Sequence, residues 1–211
     1  MPFGYTGQNL PNQTKSNSGV FSISDVADLE KQGKFGGSLE LIEEQTISSS
    51  FADFTLLQES KYDVHKFELI NVVPNSADNI GLRFSNNGGT SYTATGYQYA
   101  WQRGYPSTFT EIKSTSSDRI QINGSIGTGT NDALNGYVYC YNLGNSSKYS
   151  FITQQTIGSL SSSSIYALFS FGGGVLPTAE THNAVRFGTG SFNVLGSGTI
   201  KLYGVKQLWV L

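Results

Sequence analysis

Two histidines, one cysteine and 15 carboxylates are the side chains from which this 211-residue chain would have to build an active site or a metal centre. His65 falls inside an alternating run and His182 at the start of another, between Thr181 and Asn183. Each reads as a core or surface histidine, and no His-x-x-x-His or Asp-x-Asp-x-Asp spacing offers a metal its ligands. Cys140 sits within Tyr137-Val138-Tyr139-Cys140-Tyr141, where a packed strand residue fits better than a nucleophile. As the only cysteine, it also excludes an internal disulfide. Glu43 and Glu44 are neighbours on a predicted strand, so they point to opposite faces and cannot act as a glycosidase pair. No Gly-x-Ser-x-Gly elbow precedes a helix. Gly124-Ser125-Ile126-Gly127-Thr128-Gly129 has the glycines of a phosphate loop but neither its Lys-Ser/Thr pair nor a following helix, and it reads as a flexible hairpin. These residues point away from catalysis, and no cofactor and no metal are expected.

Binding chemistry is better represented. Tyr97, Tyr99 and Trp101 alternate along one predicted strand, and such a stripe can stack on sugar rings. It is equally what a sandwich core or an inter-subunit contact requires, because Tyr and Trp bring large area with a polar handle. Tyr137, Tyr139 and Tyr141 pose the same alternatives.

The elements that must carry these residues are almost all strands. The chain has 25 Gly, 5 Pro, 12 Tyr, 13 Phe and 2 Trp, with 13% charged residues. Gly, Ser, Thr and Asn clusters separate short aromatic and β-branched runs, as turns separate strands. Alternation predicts strands over Leu39 to Ile47, Phe51 to Leu57, Tyr62 to Val73 before Pro74, Asn79 to Ser85, and Tyr97 to Trp101. Others are expected over Arg119 to Ile126, Gly136 to Asn142, Lys148 to Gln155, Ile165 to Phe171, His182 to Phe187, and Gly198 to Trp209. Ile80, Leu82 and Phe84 share one face, and Asn86-Asn87-Gly88-Gly89 predicts a hairpin turn. Ser159 to Ser164 is a low-complexity loop. About ten such segments suggest a sandwich or barrel.

Residues 1–37 differ. Met1 to Ser18 are polar and aperiodic, predicting an extended arm, and one short helix is expected over about 22–32. Ser22 or Ser24 caps it, Asp25 and Asp28 face the positive end of its dipole, and Gly33 stops it. Val26, Leu29 and Phe21 give this helix a narrow apolar stripe that needs a surface to lie on. The domain organisation is thus a docking arm over 1–37 and a β-sandwich domain over 38–211.

The net charge of −2 argues against nucleic acid as a partner, though residues 1–70 carry 10 acidic and 5 basic side chains and the remainder 5 and 8. No apolar run approaches the roughly 18 residues that span a bilayer, so no membrane is expected. The Met1-Pro2-Phe3-Gly4-Tyr5 start has no signal-peptide pattern, which predicts assembly in a cytoplasm.

Four motifs together resemble the jelly-roll virion proteins of tailed bacteriophages. The first is Tyr62 to Pro74, of the form Tyr-Asp-x-aromatic-x-Phe-x-x-x-Asn-Val-x-Pro, with His65 at the second aromatic position. The second is the turn Arg83 to Tyr92, where Asn87 replaces the family's Asp. The third is Gly136 to Asn142, and the fourth is the closing Gly198-Thr199-Ile200-Lys201-Leu202-Tyr203-Gly204. The likeness covers roughly residues 38–207, and Asn17 to Val26 resembles the opening of marine-phage virion proteins. It implies an all-β, antiparallel jelly-roll sandwich and a non-enzymatic virion structural protein. Its expected partners are other virion proteins, either the major capsid protein or tail proteins, with self-association into homo-oligomers such as trimers. Phe3, Tyr5, Val20, Phe21, Val26 and Leu29 would bury themselves on such a partner. Capsid decoration or cement is the leading placement, a tail-associated or fibre-adaptor protein the next. A module binding a host-surface glycan through Tyr97, Tyr99 and Trp101 is the third.

Overall fold

A computed structural model describes residues 38–160, 167–190 and 193–206. Leu39–Lys206 forms one compact unit built, among the described residues, from strands alone. These are β1 (Leu39–Ser50), β2 (Ala52–Phe54), β3 (Val64–Pro74), β4 (Ile80–Ser85), β5 (Tyr97–Tyr105) and β6 (Thr108–Ser117). They continue with β7 (Ile120–Gln121), β8 (Leu134–Tyr141), β9 (Ser150–Gly158), β10 (Leu168–Leu176), β11 (Ala184–Thr189) and β12 (Leu195–Val205).

All strand pairs are antiparallel, in an eight-stranded sheet ordered β1-β12-β3-β8-β9-β10-β5-β6 and a four-stranded sheet ordered β2-β11-β4-β7. The quartet β1-β12-β3-β8 is mirrored by β2-β11-β4-β7, and the chain alternates between them. The first strand therefore pairs with the last, as in a long hairpin rolled on itself, which is the jelly-roll connectivity expected from the sequence. Two hairpins are inserted into this frame. β5–β6 enters between β4 and β7, and β9–β10 between β8 and β11; together they widen the larger sheet by four strands.

The core lies between the sheets, and its residues come from one phase of each strand. Phe54, Phe67 and Phe187 meet edge-on, with ring centroids 5.1–6.3 Å apart. Ile80, Leu82 and Phe84 are buried together as their alternation requires. Burying each such side chain contributes about 1.5–3 kcal/mol. On the outer face of the smaller sheet, Arg186 forks onto Asp53 at 2.5 and 2.6 Å. The rings of Phe51 and Tyr92 flank its guanidinium at 4.4 and 4.2 Å. That arrangement ties the 86–96 loop down over this face.

Several local expectations change. The Asn86–Gly89 turn forms, with φ of 70° at Gly88 and 84° at Gly89, but it closes no hairpin. β4 belongs to the smaller sheet and β5 to the larger, so the segment is a crossover. Residues Gly124–Gly129 form no hairpin either, for the same reason: β7 and β8 lie in different sheets. Ile126 pins that loop by bridging Asp78 and Leu160. The strand expected over Arg119 to Ile126 shrinks to Ile120–Gln121, and β6 was not anticipated at all. The arm and helix over 1–37 lie outside the described residues, as do 161–166 of the serine loop and everything after Lys206.

Candidate functional site

Strand alternation sends the two aromatic stripes in opposite directions. Tyr97 is fully buried in the core, and Trp101, on the same phase of β5, is 3% exposed. The Tyr97 hydroxyl accepts the Phe84 amide at 2.7 Å, and the Tyr99 hydroxyl donates to Gln121 at 3.2 Å. Trp101 lies against the Gly172 backbone of the neighbouring strand. Tyr97 packs in the core with Tyr99 half-buried against it, and Trp101 is enclosed, so the stripe does not stand open as a platform for a sugar.

Tyr137, Tyr139 and Tyr141 occupy the outward phase of β8, while Val138 and Cys140 fill the inward one. Burial in apolar surroundings pushes the Cys140 thiol far above its ordinary range, so it stays protonated in the core. The three tyrosines form a ladder with centroids 5.6 and 6.4 Å apart. The Tyr137 hydroxyl donates to Gln155 at 2.8 Å, and the Tyr141 and Thr153 hydroxyls meet at 3.1 Å.

Antiparallel register carries this surface across the sheet. Tyr137 is followed by Gln155, Phe171 and Gln102 on successive strands, and Tyr139 by Thr153, Gly173 and Ala100. Phe151 (43% exposed), Ile157 (53%) and Phe171 (43%) stand clear of the surface, whereas an inward phase would have hidden them. The outward positions of β8, β9, β10 and β5 carry no charge; Lys66 and Glu68 on β3 border them on one side, Glu111 and Lys113 on β6 on the other. A depression of about 190 Å³ opens among Asn135, Gly136, Tyr137, Gln155, Ile157 and Phe169. Exposed apolar rings set among amides and hydroxyls have the chemistry that suits contact with another surface. It offers rings, amides and hydroxyls and no ionised group.

Both histidines are enclosed. The His65 Nε2–H donates to the Leu57 carbonyl at 2.8 Å, and its ring meets the Tyr62 ring edge-on. His182 Nδ1 lies 2.7 Å from the Ser150 hydroxyl, and its Nε2 is 3.2 Å from a Glu180 carboxylate oxygen. Asn86 donates to the other Glu180 oxygen at 2.7 Å. A hydroxyl, an imidazole and a carboxylate thus lie in line, an arrangement that sequence spacing did not reveal. Ser150 and His182 have no exposed surface, so no substrate reaches the hydroxyl as the molecule stands. Burial holds both imidazoles below their ordinary pKa, outweighing the Leu57 carbonyl at His65 and Glu180 at His182. The trio ties the start of β9 to the loop before β11.

Among the described residues, no three or more His, Cys, Asp or Glu side chains gather to hold a metal. Among the described residues no helix is long and apolar enough to cross a membrane. Glu43 and Glu44 separate as expected: Glu43 contacts Gln45 at 2.6 Å, and Glu44 pairs with Lys201 at 3.0 Å. Phe3, Tyr5, Val20, Phe21, Val26 and Leu29 lie outside the described residues. Comparison of the chain with protein-family models, curated proteins and solved structures finds no match.

The sequence reading missed Phe151, Ile157, Phe169 and Phe171. A signal was present: β9 and β10 carry apolar residues on both phases, so each must face something on both sides.

Proposed function

We propose that this chain is a non-enzymatic structural protein of a bacteriophage particle, most simply a capsid decoration or cement protein. One observation carries the reading. The jelly roll is widened by two inserted hairpins into a sheet whose outer face is uncharged and aromatic across β8, β9, β10 and β5, built for contact with another surface. The resemblance to tailed-phage virion proteins supports it, because three of the four motifs fall on the adjacent strands β12, β3 and β8 at the heart of the larger sheet. The likeness thus rests on the frame of the roll. In this reading residues 1–37 bind a neighbouring virion protein, and the low charge suits protein contact. Jelly rolls also host other activities, so the fold itself enters only as analogy.

Deleting residues 1–33 tests the placement. The expected product keeps the β-domain, seen as an unchanged near-ultraviolet spectrum, and fails to join particles in a complementation assay. Normal incorporation of the truncated chain would remove the docking arm from the proposal. A second reading, attachment to a host glycan, is favoured by the outward-facing ladder Tyr137–Tyr139–Tyr141, exposed at Tyr137 and half-buried at the other two, beside Thr153 and Gln155. A glycan array separates the two: binding abolished by Tyr139→Ala supports attachment, and silence across cell-surface polysaccharides leaves the face to protein contact.

A further inference from the structure

The larger sheet ends on β6, whose outer edge pairs with no strand among the described residues. Soluble proteins shorten, cover or charge such edges, because a row of free N–H and C=O groups templates another strand. β6 is ten residues long and mostly exposed, and Phe109 is 69% exposed. Thr108 to Ser114 run in unbroken register with Tyr105 to Tyr99, and a bulge follows only between Ser114 and Ser117. A regular edge is therefore on offer, and its side chains indicate what it accepts.

Glu111 and Lys113 share the outward phase and pair with each other at 2.9 Å, with side chains 58% and 69% exposed. When a strand pairs with its own copy antiparallel, residues directly opposite point to the same face. The two-fold axis must then pass through a residue and not between two. An axis through Glu111 sets Glu111 against itself, and one through Lys113 sets two ammonium groups together. An axis through Ile112 sets Glu111 against the partner's Lys113 and Lys113 against the partner's Glu111. It also sets Thr110 against the partner's Ser114. Opposite charges across a strand pair stabilise it, and like charges oppose it.

We propose that a second copy of this chain docks on β6, antiparallel about an axis through Ile112, joining the two eight-stranded sheets into one. The occupant follows from the charges, because the edge is complementary to itself in that register. Such an interface is isologous and closes at two copies. The axis stands perpendicular to the sheet, so both aromatic faces emerge on the same side. They continue into each other past the two Phe109 side chains. This narrows the self-association expected from the sequence to a pair at this edge.

Sedimentation velocity of the purified full-length chain, over a dilution series at low salt, tests the proposal. The expected result is a dimer that dissociates on dilution. Glu111→Lys and Lys113→Glu, each placing like charges opposite, should weaken association by about tenfold or more. The double variant Glu111→Lys/Lys113→Glu restores alternation and should return to within about threefold of the unmodified chain. A monomer at every concentration overturns the proposal. So does an oligomer indifferent to the single reversals, or a double variant that fails to recover. Near-ultraviolet dichroism confirms that each variant is folded. The measurement needs no particle, so its failure would leave the virion reading to its own test.

Discussion

Gly174 sets how closely the two sheets approach, and Gly172 how closely β10 lies against its neighbour β5. A Cβ on Gly172 would stand 2.4 Å from the Ala100 carbonyl oxygen and 2.5 Å from the Trp101 Cα, both backbone atoms that cannot swing aside. On Gly174 it would stand 2.7 Å from Ile120 Cγ2, which descends from the smaller sheet, and 2.9 Å from the Gln98 carbonyl oxygen. Glycine normally weakens the middle of a strand. Here it allows contacts that a side chain would prevent. Alanine at either position should destabilise the fold by about 1–3 kcal/mol through overpacking. Urea titration would show this as a lower midpoint at unchanged slope. Gly88 provides the comparison: nothing lies within 4 Å of its Cβ position, but its φ is +70°. Alanine there should cost about 1 kcal/mol, from the backbone alone. An unchanged midpoint for Gly172→Ala would mean that the Trp101 contact does not constrain the β10–β5 pair.

Individual elements were legible to the degree that their two faces differ. β3 and β12 alternate buried and less buried positions over much of their length and were located by it, with Pro74 closing β3 as anticipated and β12 beginning at Leu195, three residues before the expected start. β6 is an edge strand with the sequence Thr-Phe-Thr-Glu-Ile-Lys-Ser-Thr-Ser-Ser; without a buried phase it shows no apolar period, leaving β-branched Thr and Ile as the only hint. The stripes Tyr97–Trp101 and Tyr137–Tyr141 are equivalent in pattern and opposite in fate. Alternation states that one phase is apolar, and neighbouring strands decide which phase faces the core. Asn86–Gly89 and Gly124–Gly129 were misread as hairpins because turn chemistry fixes the backbone bend but not the sheet that the next strand joins. The Ser150–His182–Glu180 trio escaped notice because residues from the start of β9 and the loop before β11 meet only in the folded roll.

At the scale of the whole molecule, the enclosed histidines link stability to pH. His65 and His182 both titrate below their ordinary value of 6.5, and burial is the leading cause in each. As pH falls below about 6.5, the unfolded chain takes up protons that the folded chain refuses, so stability is full above that value and declines beneath it. The decline can reach about 1.4 kcal/mol per pH unit for each histidine. Urea midpoints between pH 7 and pH 5 should fall accordingly. His65→Gln and His182→Asn, which place an amide where each bonded ring nitrogen stood, should flatten that slope when combined. A slope unaltered by the pair would assign the acid sensitivity to the carboxylates.

The pairing of β1 with β12, which sets Leu39 opposite Val205, has a consequence for synthesis. Among the described residues, the strand that leaves the ribosome first in this domain has one neighbour in the larger sheet, the strand that leaves last. Until then β1 lacks that partner, and the growing chain holds a partly closed roll. Completion therefore waits until β12 has been made and has left the ribosome, and the interval before it is when an unfinished domain most needs shelter from its neighbours.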